Sequence, residues 1–80
     1  MYNILVKSST KEIKDYNKDF ILFNNAVVVS ESGTVKYIYS DLNASEANVY
    51  QIENTIVDFI GNKYLYENGE VIENPEYQGD

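Results

Sequence analysis

Apolar residues occur in short runs separated by polar punctuation, and each run is about the length of a strand. Ile4, Leu5 and Val6 make residues 2–7 a first strand, because β-branched side chains suit a pleated surface. Ser9-Thr10-Lys11-Glu12 fits a capping box, with Ser9 as N-cap and Glu12 reaching back. Only Ile13 and Tyr16 continue an apolar stripe, so a turn or two of helix and a polar loop both fit. A helix there would show Lys11, Lys14 and Lys18 as a basic ridge. Phe20-Ile21-Leu22-Phe23, Asn24-Asn25 and Ala26-Val27-Val28-Val29 read as two strands about a tight turn, or as one kinked strand. Glu31-Ser32-Gly33-Thr34 makes a further turn. The next strand puts Val35, Tyr37 and Tyr39 on one side and Lys36 and Ile38 on the other.

The pattern then changes period. Asp41, Asn43 and Ser45 are possible N-caps, and Glu46 suits the positive end of a helix. Val49, Ile52, Ile56 and Phe59 recur at helical spacing, and Gly61-Asn62 supplies a stop. Val, Ile and Thr are mediocre helix formers, so two short strands compete, but caps and period together predict one helix near 45–60. Asn68-Gly69 between two β-prone runs predicts a hairpin. A two-residue turn pairs Tyr66 with Val71, Leu65 with Ile72 and Glu67 with Glu70. A three-residue turn with a Gly bulge sets Leu65 against Val71. Pro75 ends the pairing, and 75–80 reads as a frayed tail.

The expected fold is therefore α+β, a single small domain over 1–80. An antiparallel sheet of five to six strands (near 2–7, 20–24, 26–31, 35–40, 63–67 and 70–74) packs against one helix. Val49, Ile52, Ile56 and Phe59 are expected to face Leu22, Val27, Val29 and Ile38.

Composition narrows the chemistry. The chain has no Cys, His, Arg or Trp, so disulfides, thiolates and imidazole general bases are excluded, and zinc lacks its preferred ligands. The four glycines are dispersed, and no phosphate loop or spaced calcium loop is present. Two carboxylates could in principle cleave a sugar, but 80 residues leave little room for that cleft. A non-enzyme with no catalytic residue, no cofactor and no metal is expected. No apolar run reaches a membrane span, and the start lacks the basic leader and long apolar run of a secretory signal. A cytoplasm is the expected site of folding.

Charge is uneven along the chain. Residues 1–40 hold five Lys and four acids, a net of +1; residues 41–80 hold one Lys and nine acids, a net of −8. The acidic half should repel nucleic acid and anionic lipid and attract a basic protein surface, or serve only as a solubilising face. Glu67, Glu70 and Glu73 gather at the hairpin. Eight tyrosines add area suited either to contact surfaces or to sheet cover, with Tyr64 and Tyr66 on one strand face. The candidate protein-binding residues are Tyr64, Tyr66, Glu67, Glu70, Glu73, Glu76 and Asp58.

The block from Val49 to Tyr77 resembles the C-terminal segment of small bacteriophage proteins encoded among tail genes. The matching elements are Lys63-Tyr64-Leu65-Tyr66, Asn68-Gly69 and Asn74-Pro75-Glu76-Tyr77, with a similar apolar strand and Asn-Asn turn at Phe20 to Val29. The chain departs from the pattern in lacking Trp and in its helical period at 49–60. The resemblance implies an accessory structural module of a tail, baseplate or fibre, acting by protein–protein contact. It implies the bacterial host cytoplasm or a virion as the location and a virion tail protein as partner, and the small size of the domain adds homo-oligomer formation to the expectation. The alternative is an anti-defence inhibitor whose acids occupy a basic, nucleic-acid-binding groove of a host defence protein. Direct nucleic-acid or membrane binding is expected of neither.

Overall fold

β-Branched and aromatic residues set an extended backbone in eight short stretches. The structure is a computed structural model that describes residues 1–78. It contains β1 (Tyr2–Lys7), β2 (Ile13–Tyr16), β3 (Asp19–Leu22), β4 (Val27–Glu31), β5 (Thr34–Tyr39), β6 (Ala47–Ile52), β7 (Tyr64–Glu67) and β8 (Glu70–Glu73). These eight strands form three antiparallel sheets, ordered β2-β1-β6, β3-β4-β5 and β7-β8. There is no helix among the described residues. The expected α+β fold is thereby corrected to all-β, and the single sheet of five to six strands to three small sheets.

The helix expected near 45–60 is replaced by β6 and an irregular connection, 53–63. β6 pairs along its whole length with β1, from Tyr2 opposite Ile52 to Lys7 opposite Ala47. That ladder satisfies the backbone of a run rich in β formers, and Asp58 (φ 55°) and Asn62 (φ 72°) break any helical continuation. The apolar period marked side chains that reach the core from non-helical backbone. Ile52, Ile56 and Phe59 do meet one core cluster, formed by Ile4, Val6 and Ile13, while Val49 is exposed. They do not face Leu22, Val27, Val29 and Ile38 as expected. Leu22 and Val27 belong to a second cluster, with Leu5, Leu42 and Ala47, and Ile38 is exposed.

The capping-box stretch forms a turn at 8–10 that leads into β2, where Ile13 and Asp15 alternate inward. Two hairpins use left-handed turn residues: Ser32 (φ 53°) with Gly33 (φ 80°), and Asn68 (φ 54°) with Gly69 (φ 79°). Both central residues at positive φ define the two-residue turn whose twist suits a hairpin. The open register at the last hairpin resolves to this form, with Leu65 opposite Ile72, Tyr66 opposite Val71 and Glu67 opposite Glu70. The β7–β8 hairpin docks on the edge of β2. The Tyr66 N–H donates to the Lys11 carbonyl at 2.9 Å, and the Asn62 N–H donates to the Ile13 carbonyl at 3.0 Å. At the tail, Asn74 caps a turn by accepting from the Glu76 N–H at 3.0 Å. The rest of the expected frayed segment, 79–80, lies outside the described residues.

Candidate functional site

A concave surface lies where the 53–63 connection passes the last hairpin. β6 ends at Ile52, and the chain then turns alongside β7 and β8 and leaves a groove of about 850 Å³ between them. Its apolar lining includes Ile52, Ile56, Val57, Val71 and Ile72, with Tyr64 and Tyr66. Val57 is 73% exposed and Ile72 39% exposed, so part of this lining has no cover from the chain itself. Glu53 and Glu70 also line the groove, and no Lys does. An apolar trough with two carboxylates and no Lys side chain suits an extended segment that offers apolar and cationic side chains.

Local packing holds the tyrosines in place. Tyr64 and Tyr66 share one face of β7 and rest on the Ile4, Val6 and Ile13 cluster. Tyr66 also packs on Tyr50 with ring centroids 4.8 Å apart. Behind them Tyr16 stacks between Tyr2 and Phe59, at 5.8 and 5.5 Å, and its hydroxyl accepts from the Ile56 N–H at 3.1 Å. The groove wall is thus tied to the core.

The groove unites three of the residues expected from sequence, Tyr64, Tyr66 and Glu70. Glu67 opposes Glu70 across the turn but lines a separate hollow with Lys11. Glu73 lines a third hollow with Lys63, Asn74, Pro75 and Tyr77. Glu76 is exposed beyond it, and Asp58 is exposed in the 53–63 connection away from the groove lining. Sequence reasoning missed Ile52, Glu53, Ile56, Val57 and Ile72. For Ile52, Ile56 and Val57 the signal was the apolar run after residue 51, which reads as a helix; Glu53 and Ile72 carry no local signal.

A second polar cluster ties two sheets together. Asp15 of β2 is 3% exposed. Its Oδ1 accepts from the Tyr16 N–H at 2.8 Å and from the Lys18 ammonium at 3.2 Å. Its Oδ2 accepts from the Tyr39 hydroxyl at 3.0 Å and from the Tyr37 hydroxyl. Burial, reinforced by the Asp15 carboxylate, pushes the Tyr37 hydroxyl up to about 12, and the same causes raise Tyr39 further. Both phenols therefore stay protonated as donors near neutral pH. Among the described residues no buried side-chain polar atom lacks a hydrogen-bond partner, and no cluster of acids could hold a metal ion. No helix among them is long and apolar enough to cross a membrane.

No protein-family model, curated protein or solved structure matches this chain.

Proposed function

We propose that this chain is a non-enzymatic contact module that takes an extended, cationic and apolar segment of a partner protein into the groove beside the last hairpin. The observation that carries this reading is the groove's lining: exposed Val57 and Ile72 at its surface, Glu53 and Glu70 around them, and no Lys. The apolar positions supply the area, and the carboxylates select the sign of the partner and speed its approach. The resemblance of 49–77 to small tail-gene proteins supports a virion tail, baseplate or fibre as the setting, with a structural accessory role.

The net of −8 over residues 41–80 supports a second reading with the same contact chemistry. In it, the acids occupy the nucleic-acid-binding groove of a host defence protein. An antibody blot of purified virions separates the two. Presence in stoichiometric amount supports the tail role, and absence from virions moves the weight to the inhibitor.

The groove itself is tested by adding a short peptide of alternating Arg and Leu to isotopically labelled protein and following its backbone amides. The expected result is shifts confined to 51–57, 64–66 and 69–72. Shifts spread evenly over the acidic surface, or none, would remove the groove as the site.

A further inference from the structure

The β3-β4-β5 sheet keeps a bare face and, at β5, a bare edge. Phe20, Val29 and Tyr37 pair across its inner side, as do Leu22, Val27 and Tyr39, and Val27 and Val29 are fully buried there. On the outer side Ile21, Val28 and Ile38 form a row across all three strands. Ile21 is 50% and Ile38 57% exposed, so the row has no cover. β5 is last in the strand order, and among the described residues its backbone makes no hydrogen bond beyond the β4 ladder. An apolar strand with a free edge is a template for another strand.

Charge distinguishes this edge from those of β6 and β8, and β3, at the other end of the sheet, is shorter and opens on Asp19. Glu46 and Glu53 bracket β6, and β8 carries Glu70 and Glu73, so self-pairing at either brings acids together. Residues 32–40 contain no acid and one Lys. In a chain of net charge −7, this is where two copies meet with little repulsion.

We propose that two copies pair antiparallel through β5 about a twofold axis at Ile38, forming a continuous six-stranded sheet. An axis perpendicular to the sheet places one residue opposite itself. An axis at Lys36 would oppose two ammoniums, and one at Tyr37 would leave the two lysines diagonal neighbours. An axis at Ile38 sets Ile38 against Ile38 of the partner subunit and Tyr37 against the partner's Tyr39. It also carries Lys36 toward Asp41 of the partner subunit. The two apolar rows then join through Ile38 into one stripe. The inference rests on the contact-module reading and adds a second copy of the chain as one of the partners.

The chain has no Cys, so cross-linking can report the register directly. Ile38→Cys and Lys36→Cys would each be oxidised and run without reductant, while wild type and Ile38→Lys are sedimented over a range of concentrations. The expected result is a covalent dimer for Ile38→Cys and little for Lys36→Cys. Wild type should be dimeric where Ile38→Lys is monomeric, with unchanged far-ultraviolet spectra. Wild type that stays monomeric to roughly millimolar, the range of a very weak complex, or equal cross-linking of both Cys variants, would overturn the proposal. A monomer would give Lys36 the role of guarding the edge. A monomer whose groove binds the Arg-Leu peptide removes the dimer alone, and a dimer whose groove binds nothing removes the groove alone.

Discussion

Asp15 joins two sheets through hydrogen bonds, beside the apolar cluster of Leu5, Val27 and Ala47 that also spans them. Its carboxylate carries the Tyr37 and Tyr39 hydroxyls of β5, the Lys18 ammonium and the Tyr16 N–H. Asp15→Ala would leave these donors without an acceptor and is expected to cost about 2–4 kcal/mol, read from urea unfolding. Asp15→Asn keeps one acceptor oxygen and should cost about half as much. Alkaline titration reports the same cluster. An unfolded tyrosine loses its proton near 10, whereas folded Tyr37 holds its proton to about 12 and Tyr39 beyond. Through that window the unfolded chain binds fewer protons than the folded one, so the contribution is full below about pH 10 and falls as pH rises. Urea midpoints at pH 8 and pH 11 should therefore separate more for wild type than for a Tyr37→Phe, Tyr39→Phe double variant. Equal separation would contradict the assignment. The spacing of Asp15 from β5 in the sequence offers no sign of this cluster, since a carboxylate between Lys14 and Tyr16 reads as surface until β2 is known to turn it inward.

At the scale of elements, turns were readable and the long apolar stretch was not. Asn68-Gly69 and Ser32-Gly33 carry backbone requirements that few residue types meet, so they announce hairpins wherever they fall. Gly69→Ala should cost about 1 kcal/mol through positive φ alone, since nothing crowds the added methyl. Asn68→Gly should change stability by less than about 0.5 kcal/mol. Thermal or urea unfolding compares the two. The stretch at 45–60 misled because Ile52, Ile56 and Phe59 reach the same core cluster from a strand and a loop, at spacings that a helix would also give. The full-length ladder with β1 decides the matter, and a partner strand over forty residues away leaves no local mark. Far-ultraviolet circular dichroism should show a β spectrum without a helical component; a double minimum of helical strength would restore the helix.

For the whole molecule, charge was fully legible and its arrangement only partly so. The net of −8 over 41–80 pointed to the acidic half, and Tyr64, Tyr66 and Glu70 do meet in one groove. Glu67 and Glu73 border separate hollows, although they stand opposite Glu70 and Tyr64 across the hairpin, and Glu76 and Asp58 are exposed away from the groove. Glu53 and Val57 enter the groove on the 53–63 connection and meet Ile72 of β8 there, a juxtaposition that no local pattern announces. Calorimetric binding of the Arg-Leu peptide, to wild type and to Glu53→Lys, Glu70→Lys and Ile72→Ser, measures the contact most directly. Binding to wild type is expected to weaken as salt rises from about 0.05 to 0.5 M, because the carboxylates are screened. Each Lys substitution should reduce affinity about tenfold and flatten the salt slope, whereas Ile72→Ser should reduce affinity and leave the slope intact. Equal affinity for all four proteins would contradict the groove as the proposed contact site.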